Sequence, residues 1–117
     1  MQFLLLYRPT HPEGTPMPME KMAQLGAMCA EMAQAGVMVA SGGLQPSAKG
    51  ARVRNAGGKV TVTDGPFTEA KEIIAGFNLI KARTRDEAIE LAKRFIQIAG
   101  DGETEIRQLF EPSDFGL

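Results

Sequence analysis

The chain has 117 residues, 44% of them hydrophobic, with a formal net charge of −1 and one cysteine. This is one domain, long enough to build a core without metals or disulfides. Near-neutral charge excludes the basic footprint of a nucleic-acid or anionic-membrane binder. Cys29 alone excludes an internal disulfide and a cysteine-rich metal site, so neither metal nor cofactor is expected.

Phe3-Leu4-Leu5-Leu6-Tyr7, within Gln2 to Arg8, is apolar on both alternating faces and predicts a central strand. No basic region precedes this short run, which is too brief for a signal peptide or a membrane span, so a cytosolic protein is expected. Pro9 to Pro16 is a breaker-rich loop carrying the only histidine, His11. A helix follows over roughly Pro18 to Ala35, and Gly36 fits its stop. Its apolar stripe reads as Met19, Met22, Ala23, Gly26, Cys29, Ala30 and Ala33. Met19 and Met22 are then core fillers, Cys29 is an inert core thiol, and Met28 and Met32 are left to meet a partner.

Val37 to Ala40 predicts a short strand ending at Ser41-Gly42-Gly43. A loop through Leu44, Pro46 and Gly50 leads to a hairpin with arms Arg52–Arg54 and Lys59–Thr63, joined through Asn55 to Gly58. Ile73 to Ala82 is a second run apolar on both faces. Thr84-Arg85-Asp86-Glu87 has capping-box spacing, with Thr84 as N-cap and Glu87 reaching back. The helix it starts would bury Ala88, Leu91, Ala92, Phe95 and Ala99 and end at Gly100. Thr104 to Phe110 is a more polar strand suited to an edge. The tail through Phe115 and Leu117 would either cross a partner subunit or fray.

The order is β-α-β, a hairpin insertion, then β-α-β: a ferredoxin-like α+β sandwich as a single domain over 1–117. Two helices cover one side of such a sheet. The other side, carrying either Phe3, Leu5 and Tyr7 or Leu4 and Leu6, would stay wet, which is unusual for a monomer. A homodimer joined through that sheet face is therefore expected.

Connectivity gathers three unusual loops at one end of the sheet: that of His11, that of Gly43-Leu44-Gln45-Pro46, and Asp64-Gly65-Pro66-Phe67-Thr68-Glu69-Ala70-Lys71-Glu72. A pocket is expected there. Pro66 has no N–H, so the Asp64 carboxylate must turn to the amides of Phe67 or Thr68, or stay available for other work. Its functional role would be general acid or base, with His11 as a proton-transfer partner; its structural role would be to fix the loop. Arg8 could hold an anionic group or pair with a neighbouring acid. Glu69, Lys71 and Glu72 could bind a polar ligand or form a solvated turn, and Gly42 and Gly43 could admit a ligand to the backbone or simply turn the chain.

The nine residues Asp64 to Glu72 closely resemble the signature of the DGPF branch of the YCII-related family. Phe3 to Tyr7, Gly43 to Pro46, Val60 to Thr63 and Gly76-Phe77 extend the resemblance over nearly the whole chain. It implies the dimeric α+β barrel group, with Asp64 as the motif residue; Gly43, Leu44, Pro66 and Phe67 are expected beside any ligand because connectivity gathers their loops at the pocket end. In the wider family a histidine and an aspartate are taken as an active-site pair, and some relatives are lyases or dehalogenating enzymes. Here the only histidine lies in the first loop and not on the helix. Relatives of the DGPF branch also occur beside or fused to alternative sigma factors, which implies a regulatory setting with a sigma factor as partner. The reading preferred is a homodimer binding a small molecule. The alternative is a lyase- or isomerase-type enzyme acting on a small polar organic substrate through Asp64, and a third is a scaffold without ligand.

Overall fold

A computed structural model describes residues 1–67 and 73–117. Its elements are β1 (Gln2–Pro9), α1 (Met19–Gln34), β2 (Met38–Gly43), β3 (Ala51–Ala56), β4 (Lys59–Asp64), β5 (Gly76–Lys81), α2 (Arg85–Ala99) and β6 (Gly102–Gln108). Short 3-10 turns cover Ser47–Lys49 and Pro112–Phe115. The main sheet has the order β2-β5-β1-β6, all neighbours antiparallel. The two runs without a polar face thus occupy the centre, and the more polar β6 takes an edge. This is the ferredoxin-like α+β sandwich, with β3 and β4 inserted as a separate two-stranded sheet.

Strand alternation divides the apolar residues between two faces. Phe3, Leu5 and Ile80 point to the helices and are the largest fully buried side chains, joined by Ala88, Ala92 and Phe95 of α2. Leu4 and Leu6, opposite Leu79 and Phe77 of β5, face the uncovered side and are half-buried. The wet set is therefore Leu4 and Leu6.

The first helix turns a different face inward than its stripe of alanines and methionines suggests. Met28 and Met32 are core residues at 4% and 3% exposure, with Leu25 and Cys29 packed against them. Met19 and Met22 are exposed at 86% and 57%. Leu25, Met28, Cys29 and Met32 are spaced i, i+3, i+4, i+7, one helical face; small alanines spread around the helix hide that phase. Met28 and Met32 are thus not partner contacts, and the core role belongs to them and not to Met19 and Met22. Met32→Ala is expected to cost about 2 kcal/mol in a urea melt, whereas Met22→Ala should cost less than about 0.5 kcal/mol. The opposite ranking would contradict this phase.

Several boundaries also shift. The second strand runs through Ser41, Gly42 and Gly43, because their backbones pair with Asn78, Phe77 and Gly76 whatever the side chain. Ladder pairing in β5 starts at Gly76 and not Ile73. The hairpin arms reach Gly57 and Gly58, both with positive φ, as a two-residue hairpin turn requires. Thr84 Oγ1 accepts from Glu87 N at 3.1 Å, but the Glu87 carboxylate turns to Arg83 Nε at 3.5 Å, so only half of the capping box forms. The tail is folded: Glu111 and Asp114 cap its 3-10 turn reciprocally, and the Phe110 and Phe115 rings lie 5.2 Å apart. The radius of gyration is 16.2 Å, against about 13 Å for a compact domain of this length. Among the described residues, no helix is long and apolar enough to cross a membrane.

Candidate functional site

A cleft of about 1130 Å3 opens between the helix side of the sheet and the two helices, at the end where the loops gather. Leu5, Leu25, Phe95 and Ile96 give it apolar walls, and Cys29 lines it from α1. Cys29 packs against the core as expected, but it is half-buried and so also borders the cleft. Pro9, Pro12, Pro16 and Pro18 stiffen the rim.

The polar groups inside are few and tethered. Tyr7 leaves β1 with its hydroxyl donating toward the carbonyls that end α2, 3.0 Å from Gly100 O and 3.1 Å from Asp101 O. Lys21 reaches across from α1 to Ala99 O at 3.2 Å. A cation suits this position, because the last carbonyls of a helix carry partial negative charge. Burial first, and the Asp101 carboxylate second, push the Tyr7 hydroxyl above the ordinary tyrosine range. It is a neutral donor at physiological pH. Asn78, Ser41 and Thr104 add polar side chains from the sheet.

A second network joins the loops. Glu13 accepts from Ser47 N at 2.7 Å and from Ser47 Oγ at 2.6 Å. The same Ser47 hydroxyl accepts from Phe67 N at 3.0 Å. The Phe67 ring lies 3.9 Å beneath the Arg52 guanidinium, a cation–π contact. A smaller hollow of about 350 Å3 sits among Glu13, Pro46, Ser47 and Phe67. The Gly65–Pro66 peptide is cis. Sequence reasoning missed Glu13, Ser47, Tyr7 and Lys21, whose partners lie 20 to 94 residues away.

The anticipated residues separate into distinct places. His11, Gly43 and Leu44 line the cleft, and His11 is exposed with Nδ1 3.2 Å from Pro12 O. Asp64 ends the hairpin strand β4, exposed and outside the cleft lining. His11 lines the cleft and Asp64 does not, and no hydrogen bond joins the two among the described residues. The Phe67 amide, one of the partners open to Asp64, donates to Ser47 Oγ instead. Pro66 is exposed, and Phe67 faces the smaller hollow. Arg8 lies on the uncovered sheet face, paired with a neighbouring acid, Glu105, at 3.0 Å. The Glu105 carboxyl is held below its usual range, chiefly by the Arg107 hydrogen bond, with Arg8 adding to it. Glu69, Lys71 and Glu72 lie outside the described residues. Among the described residues, no group of three or more histidine, cysteine or acidic side chains is placed to hold a metal.

The model of the YCII-related domain matches residues 1–112. The chain belongs to the YCII-related family. This YCII-related chain is 36% identical over 72 residues to the uncharacterized protein R00369 of Rhizobium meliloti (strain 1021). That match covers 62% of this chain and 58% of the relative's length. Among solved structures, the 5-chloro-2-hydroxyhydroquinone dehydrochlorinase TftG from Burkholderia phenoliruptrix AC1100, in complex with 2,5-dihydroxybenzoquinone, aligns with a TM-score of 0.56. The alignment covers 97% of this chain and 98% of that one at 17% identity. At that identity the likeness shows a shared fold, the α+β sandwich described above.

Proposed function

We propose that this protein is a homodimer that takes a small, planar, oxygen-bearing organic molecule into the cleft between its helices and its sheet. The observation that carries the reading is the cleft itself: apolar walls with a few convergent polar groups, the usual make-up of a small-molecule site. Its polar groups also select a ligand chemistry. Lys21 spends one of its three donors on Ala99 O, leaving two for an anionic or carbonyl oxygen. Tyr7 gives its proton to the backbone and keeps oxygen lone pairs for a ligand hydroxyl. A ring bearing both hydroxyl and ionised or carbonyl oxygens meets both demands. TftG, of the same fold, is described with 2,5-dihydroxybenzoquinone, a molecule of that kind.

Two features support the dimer. Leu4, Leu6, Phe77 and Leu79 form an apolar strip on the uncovered sheet face. The protomer exposes 8248 Å2 at 12.6 kDa, about 2,000 Å2 more than a monomeric protein of that mass. Obligate interfaces bury about 1,000–2,500 Å2 from each partner, so the excess fits one such contact.

A lyase-type mechanism through Asp64 draws no support from the protomer, where that carboxylate stands outside the cleft. The link to a sigma factor rests on the family resemblance alone.

The test is a thermal-shift screen of hydroxylated quinones, catechols and aromatic hydroxy acids, followed by calorimetry. A ligand present at a hundred times its Kd should stabilise the protein by about 2.7 kcal/mol. Lys21→Met should weaken its binding about tenfold or more, and Tyr7→Phe by a few-fold. No shift across the panel, or shifts indifferent to both substitutions, would contradict the reading.

A further inference from the structure

The β3–β4 hairpin is the part of the protomer with the least support of its own. It forms a separate two-stranded sheet in which every residue of both strands is exposed. Isolated hairpins are marginally stable in water. Register fixes what each side displays. Val53 lies opposite Val62, and Asn55 opposite Val60, so the three valines share one face with Ala51 and Asp64. Arg52, Arg54, Lys59, Thr61 and Thr63 share the other. The valines are exposed by 62% to 71%.

Strand propensity does not explain this division. Threonine is β-branched too, and it occupies the basic face wherever the chain wants a strand former in contact with water. The valines stand at alternate positions on one side only, the pattern of a strand with one covered face. Among the described residues of the protomer, nothing covers it. The surface excess of about 2,000 Å2 over a monomer of this mass points to another chain, and the hairpin contributes to that excess.

We infer that the hairpin is a dimerisation arm: the valine face of each protomer's hairpin lies against the second copy, with Arg52, Arg54 and Lys59 turned to the opposite side. Closed twofold symmetry gives each subunit one such contact as donor and one as acceptor. Asp64 ends the valine face, so it stands at the foot of the same interface. The inference rests on the homodimer reading and extends it beyond the four-stranded sheets.

Hydrogen exchange across residues 51–64 tests it, measured on the intact protein above and below its dimer dissociation concentration. Docking should slow exchange there by about tenfold or more in the dimer. The double variant V53K/V62K changes only exposed positions, so the protomer should keep its fold while dimer affinity falls at least about tenfold. Hairpin exchange identical in dimer and monomer would overturn the arm and leave the homodimer standing, as would unchanged affinity in V53K/V62K. A protein monomeric at every concentration would overturn both.

Discussion

On the homodimer proposed above, Leu6→Asp should give folded monomers. Leu6 lies mid-strand on the uncovered face, flanked by Phe77 on β5 and Glu105 on β6. In the protomer its side chain is half-buried, so a carboxylate there stays hydrated and costs the monomer little. In a face-to-face dimer the same carboxylate would be buried beside Phe77 and Glu105, and Glu105 already holds the nearby cations Arg8 and Arg107. Burying an unpaired charge costs several kcal/mol, so the dissociation constant should rise by a factor of at least about 100. Size-exclusion chromatography with circular dichroism separates the outcomes. A monomer with an unchanged spectrum is predicted. A dimer with unchanged affinity would show that this face is not the seam.

Gly65→Ala should be the most damaging single-methyl change in the chain. A Cβ at Gly65 would stand 1.7 Å from Ser47 O and 2.6 Å from Ser47 C, both backbone atoms that no rotamer change can move aside. Gly65 N also donates to Gly50 O at 3.0 Å, holding the hairpin's foot to the Ser47 turn. The loop must therefore lift off, and lifting it strains the chain from Glu13 through Ser47 to Phe67. A cost of about 3 kcal/mol is expected, the upper part of the overpacking range, and the Phe67 ring should move out from beneath the Arg52 guanidinium. Gly50→Ala is the control: its Cβ would meet the same Ser47 O at 3.4 Å, an ordinary separation, at a φ of −108° that any residue adopts. Urea midpoints of the two variants should differ widely. Similar midpoints would mean that the loop does not pack on Ser47.

These expectations show where sequence is a good guide. Phe3 to Tyr7 and the run ending at Ala82 declare central strands because a residue pattern apolar on both faces is local information. Thr84 declares a helix start for the same reason, through a bond to an amide three residues on. Chain connectivity then places the His11, Gly43 and Asp64 loops at one end without any contact being known. The first helix defeats the same logic. Its small alanines make almost every face acceptable, and Leu25, the one large aliphatic that marks the true phase, carries too little weight alone. The site is harder still. Tyr7 and Lys21 gain meaning only beside the backbone carbonyls that end α2, and a carbonyl has no sequence signature. Glu13 reads as a rim charge until Ser47 is beside it. Asp64 carries a motif that sequence makes conspicuous, yet it stands exposed at the foot of the hairpin and outside the cleft lining.

The central claim is that the helix-side cleft is where a ligand binds. Amide chemical-shift mapping tests it most directly, using whichever compound of the quinone and phenol panel stabilises the protein most. Perturbations are predicted at Tyr7, His11, Lys21, Cys29 and Ala99–Asp101, with the hairpin and the Asp64 loop unmoved. Shifts gathered at Asp64 to Phe67, with the cleft silent, would contradict it.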